Sequence, residues 1–189
     1  MTVTIKKLIS VIRRLSWLIT TNPERKLLSN IALFESCGIV GSQLSMLLKT
    51  TPRIFVMEES YLRDLVSRVL DMGLLFRSKM FVHGLRLVSG MRAELLERKL
   101  DLLRSFVFTK HEALQIFRRQ PTVFSKSEEQ LKLRLDFFLN KIELKKEPLI
   151  GAPCLAYSLE KRVIPRYRII QILKSKRLLV KKEPSFLVC

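Results

Sequence analysis

Acid is short in this sequence relative to base: 17 aspartates and glutamates stand against 35 lysines and arginines, a formal charge of +18 over 189 residues. An imbalance of that size exceeds what solubility asks for and points to a polyanionic partner. Glycine is also scarce, at six residues, which argues against an all-β fold with its many tight turns. Three cysteines, Cys37, Cys154 and Cys189, are too far apart for a Cys-x-x-Cys metal site, and their odd number supplies no disulfide framework. Two isolated histidines, His83 and His111, offer no His-x-x-x-His pair, so neither metal nor other cofactor is expected. Phosphate-cradling and nucleophile-elbow glycine motifs are missing as well, and no apolar run approaches the ~20 residues of a membrane span. These gaps remove the common enzyme classes, and the chain is read as a non-enzyme.

What is present is helix-forming and periodic. Leucine, lysine, arginine and glutamate dominate, and 48% of residues are hydrophobic, enough to order a core. Three prolines each follow an apolar helical segment and precede further apolar residues: Leu48-Lys49-Thr50-Thr51-Pro52-Arg53-Ile54-Phe55, Phe117-Arg118-Arg119-Gln120-Pro121-Thr122-Val123-Phe124, and Ile150-Gly151-Ala152-Pro153-Cys154-Leu155. Sliding Lys99-Leu100-Asp101-Leu102-Leu103 onto Arg134-Leu135-Asp136-Phe137-Phe138 gives an offset of 35 and puts Arg86 in the proline register. Ser16 takes that register at the amino-terminal end. The fold class is therefore an all-α helical-repeat solenoid of about five repeats of 32–36 residues, forming one domain over residues 1–189.

Each repeat reads as a helix, a proline turn, a longer helix and a short link. Leu62, Val66, Val69 and Leu70 make one buried stripe; Leu131, Leu135, Phe138 and Leu139 make another. Ser42 and Ser127 are expected to cap helices. The links Gly38-Ile39, Gly73-Leu74 and Val107-Phe108 recur at near 35 residues. Lys145-Lys146 is assigned to a link. Pro165 marks either a kink or a boundary in the last helix. The first 23 residues carry Lys6, Lys7, Arg13 and Arg14 and no acid, but their leucines sit at helical spacing, so any transit peptide is expected upstream of Met1.

Candidate nucleic-acid contacts are the basic residues at and after the turns: Arg13, Arg14, Lys49, Arg53, Arg86, Arg118, Arg119, Arg162, Arg166 and Arg168. A guanidinium can chelate phosphate oxygens, and a turn displays it clear of the packed helices. Taken singly, each is equally well read as a solvated surface charge. Phe55, Phe124 and Tyr157 follow the prolines and could stack on bases, but core packing explains the phenylalanines better. A protein-interaction scaffold with incidental basic charge is the main alternative function, and attachment to an anionic membrane through residues 5–19 is another.

The chain resembles the mitochondrial transcription termination factor (mTERF) family, in its large plant branch. The resemblance rests on Ser67-Arg68-Val69-Leu70-Asp71-Met72-Gly73, Phe117-Arg118-Arg119-Gln120-Pro121, Leu135-Asp136-Phe137-Phe138 and the run from Pro153 through Ser158-Leu159-Glu160-Lys161-Arg162-Val163-Ile164-Pro165-Arg166. It implies a left-handed superhelix of triple-helical repeats, import into mitochondria or chloroplasts, and action on organellar DNA or RNA in transcription termination, transcript processing or splicing; the expected partner is double-stranded DNA or RNA. A monomer is expected. Ser16 and Arg86 depart from the repeat proline, Val107 from the link glycine, and the repeats are fewer than in a typical full-length member.

Overall fold

A computed structural model describes residues 23–151 and 153–178. Every regular element among the described residues is helical, with no strand. The α-helices are α1 (Pro23–Ser36), α2 (Gly41–Thr50), α3 (Glu59–Asp71), α4 (Phe81–Ser89), α5 (Ala93–Phe106), α6 (Lys110–Arg119), α7 (Glu128–Asp136), α8 (Lys146–Gly151) and α9 (Ile164–Ser175). Short 3-10 turns open at each repeat proline: Pro52–Val56, Pro121–Ser125 and Pro153–Ala156. The chain divides into two compact units, Met1–Arg92 and Ala93–Cys189.

Within each unit the helices form two layers. In the first unit α2 packs on α4 and α1 on α3; in the second α6 packs on α8 and α5 on α7. The helix before each proline turn thus belongs to one layer and the helix after it to the other. The turns exist because proline has no N–H to continue the α ladder and its ring clashes with the preceding turn. Immediately before them Leu48, Phe117 and Leu149 are buried, and after them Ile54, Phe55, Val123, Phe124 and Leu155. Ring pairs Phe34–Phe55 (5.2 Å) and Phe117–Phe124 (5.5 Å), both edge-on, tie turn to helix.

The turn carbonyls create a demand that the sequence meets in a repeated way. Asn30 of α1 donates to the carbonyls of Phe55 and Met57 at 3.0 and 2.9 Å. Lys99 of α5 donates to Phe124 and Lys126 at 2.8 and 2.6 Å, and Arg134 of α7 donates to Tyr157 at 3.1 Å. All three side chains are buried, the only polar or charged ones so classed among the described residues. They share a register, 35 residues separating Lys99 from Arg134. Burial holds the pKa values of both Lys99 and Arg134 below their ordinary ranges, so each cation depends on the carbonyls it faces.

Arg86 does not stand at a turn. It lies inside α4, which runs on to Ser89 before the chain turns at Gly90, because without proline nothing interrupts the ladder there. At the register of Asn30, Lys99 and Arg134, α3 carries the apolar, fully buried Leu65. A repeat without a proline turn is preceded by a helix without a polar donor.

The stripes are buried as expected at Leu62, Val66, Val69, Leu131, Leu135 and Phe138, with Leu70 and Leu139 only half-buried. Gly38 and Gly73 adopt φ of +78° and +83° and close α1 and α3, with Ile39 N–H donating to Phe34 and Leu74 N–H to Val69. Val107 takes no such conformation. Glu143 does, at φ +51°, with Leu144 N–H donating to Phe138, and so fills the glycine role after α7. Ser127 caps α7 through Gln130 N–H, whereas Ser42 caps nothing: Val40 precedes α2 and no side chain caps it. At Pro165 the helix continues. A π turn, Leu159–Val163, precedes α9 and places the proline in its first turn, where a missing N–H costs little.

Two variants test this core. Leu135→Asp buries a carboxylate at a fully enclosed position and is expected to cost roughly 2 to 5 kcal/mol by denaturant titration; a neutral result would place the core face elsewhere. Lys99→Met leaves the Phe124 and Lys126 carbonyls without a donor and is expected to cost about 1 to 3 kcal/mol. The matched change Leu65→Met should be nearly silent.

Candidate nucleic-acid interface

Charge is sorted by layer. Residues 36–57, which contain α2 and the Pro52 turn, hold Lys49 and Arg53 and no acid. Residues 72–93, which contain α4, hold Arg77, Lys79, Arg86 and Arg92 and again no acid. Residues 113–127, from the body of α6 through the Pro121 turn, hold Arg118, Arg119 and Lys126, likewise without an acid. Most helix acids lie on the other layer: Glu59, Asp64 and Asp71 on α3, Glu94, Glu97 and Asp101 on α5, and Glu128, Glu129 and Asp136 on α7; the first layer has Glu112 and Glu147, at the starts of α6 and α8.

Cations of that second layer meet partners. Arg63 pairs with Glu59, Arg98 with Glu128, Arg104 with Asp101, and Lys26 with Glu58 just ahead of α3. Exposed pairs of this kind add at most about 1 kcal/mol each to stability, but they cancel the local field. The first layer keeps its field. Lys49, Arg86, Arg118 and Arg119 all lie in the last turn of their helices, and all but the half-buried Arg118 are exposed.

The remaining candidates scatter. Arg53 is exposed on the Pro52 turn. Arg162 is exposed on the π turn, its guanidinium 5.0 Å above the Tyr157 ring, while Arg166 and Arg168 lie within α9, half-buried and exposed. These three therefore sit on helix and not at a turn, because the chain stays helical through Pro165. Arg13 and Arg14 lie outside the described residues. Phe55 and Phe124 are enclosed in the core, leaving them no face for a base. Arg77, Lys79, Arg92 and Lys126 were not singled out by position relative to proline; for Arg77 and Lys79 the lack of nearby acid is the signal that finds them, whereas Glu94 and Glu128 stand two residues beyond Arg92 and Lys126.

Lys146 has a different duty. It opens α8 and holds Glu112 of α6 at 2.9 Å, and Glu112 also accepts from the Thr109 N–H in a reciprocal cap. The pair ties neighbouring first-layer helices together, so Lys146 is part of the scaffold and not a free link residue. The Cys154 thiol, pushed up to about 11 by burial, is unreactive at neutral pH. Among the described residues no set of three His, Cys, Asp or Glu could hold a metal ion, and no helix is long and apolar enough to cross a membrane.

Comparison with known proteins adds two findings. The family model for mTERF matches residues 57–152 and, in a second overlapping alignment, 87–189. The chloroplastic transcription termination factor MTERF8 of Arabidopsis thaliana is 23% identical over 150 residues, which is 79% of this chain and 30% of that protein. The aligned region thus spans under a third of that relative's length.

The Glu112 cap carries a pH prediction. Its carboxyl is held below the ordinary range first by the Thr109 backbone donor and then by Lys146. A lowered folded pKa stabilises above the unfolded value and loses that contribution as pH falls through the folded one. Glu112→Gln should therefore melt below the unaltered chain at neutral pH, with the gap closing in acid. A gap that persists or widens as pH falls would disprove the assignment.

Proposed function

This chain belongs to the mTERF family, and on that premise we propose that it binds double-stranded DNA or RNA through acid-free stretches of the first layer: α2, its proline turn and α4 in one unit, the end of α6 and its proline turn in the other. In doing so it regulates organellar gene expression, in transcription termination or in transcript processing and splicing. The setting is a mitochondrion or chloroplast, in keeping with the family and with the chloroplastic relative. The role is that of a binding protein and not an enzyme, and the nucleic acid is taken up by a single chain built as one repeat domain.

The observation that carries this reading is the segregation of charge. A chain at +18 that paired its cations evenly would present a mixed surface; here the acids gather on α3, α5 and α7 and leave α2, α4 and the end of α6 uniformly positive. In each unit such a stretch attracts phosphate and releases counterions when it binds. Aromatic side chains add little to it, since the phenylalanines after Pro52 and Pro121 are consumed by packing. Backbone contact with a duplex is the binding mode these facts favour over stacking on single strands.

Titrating a short labelled duplex at several salt concentrations tests the proposal. With about five to eight phosphates engaged, log affinity should fall against log salt with a slope of roughly −4 to −7. Replacing Lys49, Arg86 or Arg118 by Gln should each flatten that slope by about 0.9, while Arg63, Arg104 or Lys132, on the mixed layer, should change it far less. Equal losses from both sets would assign the affinity to total charge, and no binding at low salt would favour a protein-interaction scaffold.

A further inference from the structure

Among the described residues three of the four first-layer helices end in a cation: Lys49 on α2, Arg86 on α4, Arg118 and Arg119 on α6. The fourth, α8, has none in its last turn. Three residues before the repeat proline stand Lys49, Arg118 and then Ile150; two before it stand Thr50, Arg119 and then Gly151. The α6 end thus has one arginine more than its neighbours, and the α8 end has none.

Gly151 links the two. A β-carbon built on it would lie 3.2 Å from Nη1 of Arg119, so close that the guanidinium would have to give way by a few tenths of an ångström. The backbone does not call for glycine there, since Gly38, Gly41 and Gly73 are the glycines at positive φ and Gly151 is not among them. Glycine is a poor helix residue, about 1 kcal/mol worse than alanine in a helix interior. What its absent side chain provides is room for the guanidinium. α6 and α8 are packed neighbours, fastened at their other ends by Glu112 and Lys146, so an arginine leaving the end of α6 is well placed to reach the end of α8.

We propose that the two consecutive arginines serve different repeats: Arg118 acts at the end of its own helix, and Arg119 is the phosphate ligand of the next repeat, lodged over Gly151. The inference rests on the nucleic-acid reading above and names the means by which a cation is kept at the end of each first-layer helix although the last turn of α8 encodes none. Gly151 is then a positioning residue for Arg119. No ion pair neutralises Arg119 among those the structure shows, and its exposed guanidinium keeps donors for a phosphate.

Rescue is the decisive experiment, on the full chain with a short labelled DNA duplex. Arg119→Ala should flatten the salt slope by about 0.9. Adding Gly151→Arg to that variant should restore the slope by giving the end of α8 its own cation, whereas adding Leu133→Arg, at an exposed site on α7, should not. Equal rescue by both would overturn the proposal. Independently of binding, Gly151→Val should shift the Arg119 Nε–Hε resonance by displacing the guanidinium; an unmoved resonance overturns the lodging. If the unaltered chain binds no duplex, the nucleic-acid reading falls and the ligand role with it, while the resonance still decides whether Gly151 seats Arg119.

Discussion

A proline turn frees carbonyl groups that must be satisfied from outside the turn, and most of this architecture can be read as the answer to that demand. The turn cannot form an α ladder of its own, and it sits where Phe55 and Phe124 are enclosed, away from water. Asn30, Lys99 and Arg134 supply the donors from the preceding second-layer helix. Each bond joins one repeat to the next, so it fixes the register of stacking as well as satisfying the turn. Apolar packing alone would hold the helices together and leave their relative slide poorly determined, whereas a buried donor matched to one or two carbonyls penalises any slip.

The same constraint explains a correlation between distant positions. Where the proline is absent, at Arg86, α4 runs on without interruption, and the register position in α3 is Leu65. Retaining a lysine or asparagine at that position would bury a polar group with no carbonyl to meet, at a cost of a few kcal/mol. Proline and donor are absent together. That pairing distinguishes a structural device from coincidence better than any single hydrogen bond.

How much of this was legible beforehand depends on what each residue type signals. The period, the helix pairs, the stripes through Leu62 and Leu135, and the glycine links at Gly38 and Gly73 all follow from residue types with strong preferences. Glu143 was not legible as a link, because a glutamate in the left-handed region carries no mark in its identity. Lys99 and Arg134 were legible as an offset of 35 but not as buried donors, since a cation in a helix ordinarily reads as surface. Arg86 was legible as the proline register and illegible as helix, because the period fixes position and says nothing of whether a turn forms without its proline. The candidate interface was partly legible for the same reason: position relative to proline found Lys49, Arg118 and Arg119, but only the two-layer arrangement shows which cations are paired away.

Helix electrostatics sharpen the meaning of that partition. The positive end of a helix dipole favours acids in the first turn, and α3, α5 and α7 follow this rule with Glu59, Glu94, Glu128 and Glu129. α2 and α4 have no acid there, although one would add about 0.3 to 1 kcal/mol to each helix. Their terminal cations, Lys49 and Arg86, are explained equally by the dipole and by a phosphate partner; their missing acids are not explained by the dipole at all. An acid in the first turn of α2 or α4 would stabilise the helix and weaken the positive field of the layer it belongs to. α6 and α8 do carry a first-turn acid, Glu112 and Glu147, and Glu112 is met by Lys146, so it is on α2 and α4 that the field, and not helix stability, accounts for the missing acids.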